Sequence, residues 1–162
     1  MNIRNASEPD IPALARIWYD GWQDGHGKIV PAELARHRTL ESFDERLRQA
    51  LPRVRVAEAG VVLGFHIVQK DELYQFYVDA PARGTGLAAA LIADAERALR
   101  ENGVTTAWLV CAIGNSRAER FYEKQGWRRN GKVIHQTPIT GGELPLEVWR
   151  YEKELTLEPS GF

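Results

Sequence analysis

Ala82-Arg83-Gly84-Thr85-Gly86-Leu87-Ala88-Ala89-Ala90-Leu91 sets two glycines between a strand-like run and a helix-like one. Upstream, Asp71-Glu72-Leu73-Tyr74-Gln75-Phe76-Tyr77-Val78-Asp79 is dense in aromatic and apolar residues and reads as a strand. Downstream, Leu87, Leu91, Ala95 and Leu99 recur at helical spacing, with Asp94, Arg97 and Glu101 opposite them and Gly103 as terminator. A strand that enters a glycine turn and leaves it as a helix aims several backbone N–H groups, and the positive end of the helix dipole, at one spot. That spot suits an anion. Gly84 and Gly86 let the backbone approach phosphate oxygens with no Cβ between them, Ala88 keeps the first helical turn slim, and Arg83 adds a charge-assisted contact. The segment lacks the Lys-Ser/Thr of a nucleoside-triphosphate loop, and Ala89 stands where the dinucleotide fingerprint needs its third glycine. Taken alone, such a turn also serves as a tight corner.

The strand before the turn carries a second irregularity. Its core-facing residues are Leu73, then Phe76 and Val78, so the period-two alternation slips by one. A bulge at Tyr74-Gln75 accounts for the slip and leaves backbone groups without ladder partners, open to a ligand lying along the strand. Before it, the chain reads as a short strand, then a helix capped by Ser7 or Asp10 with Ile11, Leu14, Trp18 and Trp22 on one side. Gly21 to Pro31 reads as a loop, and a two-piece helical region ends near Leu51. Val54 to Gln69 reads as a hairpin turning at Ala59-Gly60. After the long helix come an apolar strand over Val104–Ile113, a short helix between Asn115 and Gly126, and two strands turning at Gly141-Gly142. The order β-α-α-β-β-β-α-β-α-β-β predicts an α/β (α+β) fold with a central, mostly antiparallel sheet.

At 162 residues, 44% hydrophobic and 27% charged, the chain predicts a single domain over 1–162 with its own core. A formal net charge of −1 offers no attraction to nucleic acid or to an anionic membrane. Cys111 is the only cysteine, which excludes an internal disulfide, and four scattered histidines give no metal-ligand spacing. Met1 to Asp10 has no apolar leader pattern, so a cytoplasmic location is expected.

Two motifs together narrow the reading. Arg83-Gly84-Thr85-Gly86-Leu87-Ala88 resembles the Arg/Gln-x-x-Gly-x-Gly/Ala turn of the GNAT superfamily, the acetyl-CoA-dependent N-acetyltransferases, at every fixed position. Gln75-Phe76-Tyr77-Val78-Asp79-Ala80-Pro81 resembles that superfamily's bulged fourth strand. Asn115 to Trp127 resembles its second cofactor motif, Asn-x-x-Ala-x-x-Phe-Tyr-x-x-x-Gly-Phe, departing only at Trp127. The resemblance implies a sheet of about seven strands with a splayed fourth strand and about four helices. It implies acetyl-CoA as cofactor, no metal, and a small-molecule or peptide amine as acceptor. It implies neither nucleic acid nor membrane as partner, with homodimerisation through the terminal strands a recurrent family trait.

Carried over residue by residue, the motifs assign the diphosphate to Arg83, Gly84, Thr85, Gly86, Leu87 and Ala88. The amide-bearing arm goes to the strand Phe76, Tyr77 and Val78 and to Asn115, Ala118 and Phe121. Tyr122 matches the tyrosine that donates to the departing sulfur, a role suited to a phenol that stays protonated at neutral pH. Glu72, four residues before Phe76, stands where some members carry a glutamate base acting through water; it equally reads as the solvated start of a strand. His26 and His135 lie in regions able to face the acceptor, and Cys111, in an apolar strand with nothing to activate it, reads as packing. The aromatic set Trp18, Tyr19 and Trp22 with Asp24-Gly25-His26-Gly27-Lys28-Ile29-Val30-Pro31 is expected to line an acceptor channel, through the loop rather than the tryptophans. A non-catalytic module that binds or senses acyl-CoA stays open as the alternative.

Overall fold

Seven strands form one sheet in the order β1-β2-β3-β4-β5-β7-β6, described over residues 1–156 by a computed structural model. They are β1 (Asn2–Asn5), β2 (Val54–Ala59), β3 (Val61–Gln69), β4 (Glu72–Val78), β5 (Thr106–Ala112), β6 (Arg128–Ile139) and β7 (Gly142–Glu154). Each pairing is antiparallel except β4 with β5. That parallel pair needs a crossover, and the chain supplies it as the helix that follows the glycine turn. The helices are α1 (Ile11–His26), α2 (Ala32–Arg36), α3 (Leu40–Ala50), α4 (Leu87–Glu101) and α5 (Ser116–Lys124). The architecture is the expected one, with the short α2 bringing the helices to five.

Two apolar layers flank the sheet. On one face Ile11, Leu14, Trp18 and Trp22 of α1 and Phe43 and Leu47 of α3 pack on Val56, Phe65 and Ile67. Trp18 and Phe43 are fully covered and stack with ring centroids 4.8 Å apart; each such side chain contributes about 1.5–3 kcal/mol on burial. On the other face α4 lays Leu91, Ile92, Ala95 and Leu99 over Leu73, Leu109 and their neighbours, and α5 adds Ala118, Phe121 and Tyr122. The far end of the β6–β7 hairpin reaches back to the first layer through Ile139, Leu144 and Leu146.

Two expectations are corrected. The segment from Gly21 to His26 is the last part of α1, not a loop. Its glycines are there for contact: a Cβ on Gly21 would lie 2.6 Å from Tyr77 Cδ1, and one on Gly25 would lie 2.9 Å from Asn115 Nδ2. They let β4 and the start of α5 press against the helix, so their helix-breaking tendency is overridden by tertiary packing. Asp94 is not on a solvated face of α4. It is buried, accepting hydrogen bonds from His66 Nε2 at 2.8 Å, from Arg55 at 2.9 and 3.1 Å, and from Arg97. The basic side chains of β2 and β3 rise to α4 and turn a carboxylate inward that periodicity alone sends outward.

Candidate active site

The bulge lies where the alternation slips. Leu73 is paired with Val68 and Gln75 with Ile67, which leaves Tyr74 as an extra residue in β4. Beyond it, Asp79 donates its N–H to Leu63 O at 2.7 Å. Residues two apart on a strand point their N–H and C=O the same way, so Gln75 and Tyr77 address β3 while Phe76 and Val78 address the opposite edge. That edge is open: β4 and β5 share a single residue pair, Glu72 with Trp108, and diverge from there. The result is a groove through the sheet with a row of unpaired main-chain groups on one wall.

The glycine turn stands at the head of this groove. Gly84 (φ +77°) and Gly86 (φ +87°) are in the left-handed region, and a Cβ on either would meet no protein atom within 4 Å. Space kept free by the backbone is on the outside, where a ligand oxygen fits. Arg83 N–H is bonded to Ala80 O and Ala90 N–H to Gly86 O, and the amides of residues 84–89 have no partner among the described residues. They are the orphan donors of the α4 N-terminus plus two from the turn. Leu87 is the exception among the motif side chains: it is buried against Ala57 and Leu91, so its main chain alone faces the turn. Arg83 pairs with Asp24 of α1 at 3.1 Å, and Arg117 of α5 pairs with the same carboxylate at 2.8 Å. Arg117 first and Arg83 second hold the Asp24 carboxyl below its ordinary range.

A cavity opens where β4 and β5 part, joining the two faces of the sheet. Leu73, Phe76, Leu109, Cys111, Asn115, Ala118 and Tyr122 line it on the α4–α5 side. Trp18, Trp22, His26, Leu34, Arg38, Arg46, Tyr74, Tyr77 and His135 line it on the α1–α3 and β6–β7 side. Tyr122 sits in an aromatic nest, 5.5 Å from Phe121, 6.4 Å from Phe76 and 6.1 Å from Tyr151, ring centre to ring centre. Burial holds its phenol well above the ordinary range, so it is a proton donor throughout the physiological window. Asn115 caps α5, its Oδ1 accepting from Ala118 N at 3.4 Å. Burial pushes the Cys111 thiol up to about 12, which removes the thiolate at neutral pH. Burial pushes His26, stacked on Trp22 at 5.4 Å, down to about 4, and lowers His135 as well, so both imidazoles are neutral. Among the described residues no group of His, Cys, Asp and Glu is placed to hold a metal ion, and no helix is long and apolar enough to cross a membrane.

The structure thus brings Phe76, Cys111, Asn115, Ala118 and Tyr122 together, with Phe121 behind them and the turn at the mouth. It does not bring Glu72 there. Glu72 is at the closed end of the groove, where β4 and β5 still pair, about 10 Å along the bulged strand from Phe76 and outside the cavity lining. It is buried, and burial with the neighbouring Asp71 raises its carboxyl to about 7 against the lowering pull of Arg150. The acceptor side is built both from α1, through Trp18, Trp22 and His26, and from the non-helical stretches that follow it, through Val30 and Arg38. Sequence reasoning passed over Arg38 and Arg46, and it gave Asp24, inside the segment it singled out, no role of its own. Arg46 lies one residue before Leu47 on the rim of an amphipathic stripe, a weak signal; nothing local marks Arg38.

Comparisons with known proteins agree with this geometry. The model of the acetyltransferase (GNAT) family matches residues 13–127. A probable N-acetyltransferase of Mycobacterium tuberculosis is 25% identical over 159 residues, covering 90% of each chain. Among solved structures, a GCN5-related N-acetyltransferase from Rhodopseudomonas palustris superposes with TM-score 0.75 at 19% identity, over 95% of each chain. The PaiA N-acetyltransferase of Thermoplasma acidophilum, solved with coenzyme A, gives TM-score 0.66 at 20% identity, over 94% of this chain and 98% of its own. A family match running from α1 through the glycine turn to the end of the second motif makes the chain a member of the acetyltransferase (GNAT) family.

Proposed function

We propose that the protein transfers an acetyl group from acetyl-CoA directly to the nitrogen of a primary amine held in the cavity. The observation that carries this reading is the groove itself: an unpaired β4 edge that starts at ligand-ready amides and ends at a phenol. The solved relative that holds coenzyme A supports the choice of cofactor, and the residues present fit it. The amides of 84–89 and the Arg83 guanidinium are donors for a diphosphate. Phe76 and Val78 offer N–H and C=O groups to an amide-bearing arm laid beside β4 as an added strand.

When bound, acetyl-CoA supplies a thioester: nitrogen bonds to its carbonyl carbon, the carbon–sulfur bond breaks, one proton leaves the nitrogen and one joins the sulfur. The chain's part is to position and to handle charge. An outward N–H at Phe76 serves as donor to the carbonyl oxygen as negative charge develops there. Tyr122, protonated and desolvated, donates to the sulfur. An ammonium cannot attack, and the Arg38 and Arg46 charges in a partly dry cavity lower an amine's pKa, so the neutral nucleophile is populated at working pH. His135, neutral, is placed to accept the proton it sheds, directly or through water, whereas His26, held down to about 4, is too weak a base to keep it. Glu72 enters no step, and Cys111 carries no acyl group, which makes the transfer a single displacement in a ternary complex.

The test is release of free CoA, followed with a thiol reagent, from acetyl-CoA and a panel of primary amines. Turnover is expected with at least one amine, and Tyr122→Phe is expected to lower kcat about 10- to 100-fold with little change in KM for acetyl-CoA. Binding of acetyl-CoA with no turnover across the panel would instead make the protein an acyl-CoA sensor.

A further inference from the structure

Among the described residues the cavity lining contains two arginines, Arg38 and Arg46, and no aspartate or glutamate; Glu45, which lines the neighbouring pocket together with both arginines, forms no salt bridge with either. Elsewhere in the molecule partly covered guanidiniums meet carboxylates: Arg4 with Asp10 at 2.8 Å, Arg55 with Asp94 at 2.9 Å, Arg129 with Glu119 at 2.9 Å. Arg38 is 4% exposed, yet the one hydrogen bond of its guanidinium among the described residues goes to a neutral group, Pro138 O at 2.6 Å. Arg46 donates to the Tyr74 hydroxyl at 2.9 Å and lies 4.5 Å over the Trp18 ring, again with no carboxylate. A guanidinium has five donors in a planar fork, and most of those on Arg38 are unused.

Holding a cation out of water without a counter-charge is costly. The cost is visible in Arg38, which burial, aided by Arg46, brings down to about 10. Bracing the β6–β7 tip through Pro138 explains one N–H of Arg38; it does not explain two cations facing one cavity with no acid. An anion brought by a ligand offsets the charge. The CoA phosphates belong to the glycine turn at the opposite end of the groove, so the anion has to come with the other reactant. The wall beside the arginines is apolar and aromatic, formed by Trp18, Trp22, Leu34, Tyr74 and Leu146.

Resting on the acetyltransferase reading, we infer that the acceptor is a small amine carrying a carboxylate on an apolar body, the carboxylate taken by Arg38 and Arg46. Polyamines and other multiply cationic acceptors are rejected by the same pair through like-charge repulsion.

The test compares matched acceptors at saturating acetyl-CoA: L-phenylalanine against phenethylamine, and L-leucine against isoamylamine, with L-phenylalaninamide as a neutral control. The carboxylated member of each pair is expected to have the higher kcat/KM, by about 10- to 100-fold, a charge-assisted hydrogen-bond pair being the difference. Arg38→Gln and Arg46→Gln should each shrink that preference at least tenfold, and Arg46→Lys should restore part of it. A purely structural role predicts equal losses on both members of a pair, so the preference ratio reads specificity even where a variant is less stable. Equal or better use of the decarboxylated amines or the amide overturns the inference and leaves the acetyltransferase reading standing. So does an arginine-dependent preference for succinyl-CoA over acetyl-CoA, which would put the carboxylate on the acyl donor. Acetyl-CoA binding without CoA release from any acceptor overturns the acetyltransferase reading, and this inference with it.

Discussion

Substitution at Gly86 separates the three things a glycine turn can do for an anion. The residue has φ +87° and ψ −7°, and a Cβ built on it touches nothing. The folded chain therefore has room for a side chain, at a conformational cost of about 1–2 kcal/mol for alanine and less for asparagine or aspartate, which tolerate the left-handed region. Binding is a different matter, because the free space is where the diphosphate is to lie. Gly86→Ala adds volume, Gly86→Asn adds volume and polarity, and Gly86→Asp adds a charge to a nearly identical shape. At about 4 Å from a phosphate charge the aspartate costs about 1 kcal/mol in a water-like setting and about 4 kcal/mol near a protein surface. The turn is exposed, so the lower half of that range applies to each charge pair. Two phosphates then put the Asp variant about 2–4 kcal/mol below the Asn variant, a ratio in Kd of about 30 to 1,000. Isothermal calorimetry with CoA gives the ratio. Repeating it at high salt should narrow the gap, since exposed charges are screened. Thermal melts of the unliganded variants should stay within a few degrees of one another. An Asp variant binding CoA within threefold of the Asn variant would refute the diphosphate cradle.

Asp94→Asn leaves Arg55, Arg97 and His66 around a neutral amide; loss of about 2–4 kcal/mol is expected from urea denaturation, and an unchanged midpoint would mean the network is idle. Glu72 predicts a pH-dependent stability. Its folded carboxyl is raised to about 7 from 4.5, so between those values the native state holds a proton that the unfolded state has released, and stability falls as pH rises through the window. Glu72→Gln should therefore gain about 1–2 kcal/mol on wild type at pH 8 and nothing at pH 4; an equal difference at both would contradict the buried setting. Gly21→Ala drives a Cβ into the Tyr77 ring, 2.6 Å away, and should lower stability by about 1–3 kcal/mol with a rise in KM for the acceptor, whereas a neutral result would mean that the ring swings aside freely.

The turn, the bulge and the helix cap at Asn115 were legible because each rests on local chemistry: positive φ, a broken alternation, a side chain returning to its own backbone. The slip between Leu73 and Phe76 placed the bulge at Tyr74-Gln75 from the hydrophobic pattern alone, and the register singles out Tyr74 as the extra residue. What local reasoning could not reach depends on neighbours distant in sequence. Gly21 and Gly25 look like loop residues until Tyr77 and Asn115 are set against them. Asp94 looks solvated until Arg55 and His66, on β2 and β3, come up beneath it. Arg38 and Arg46 belong to the same class, since nothing along the chain says that no acid will be waiting for them. The acceptor side is assembled from α1, the α2–α3 region and the β6–β7 hairpin, and its chemistry exists only after assembly.

The lone rung between Glu72 and Trp108 has a mechanical side. A sheet whose halves are joined by one pair carries a seam down its middle, crossed by the apolar layers on its two faces, each of which holds residues of both halves, and by side-chain ties such as that from Asp24 to Arg117. An extended ligand seated in that seam supplies the missing rungs, so the two flanks share their resistance to unfolding most fully while the molecule is loaded. Release of product then loosens the same joint that the next ligand must enter.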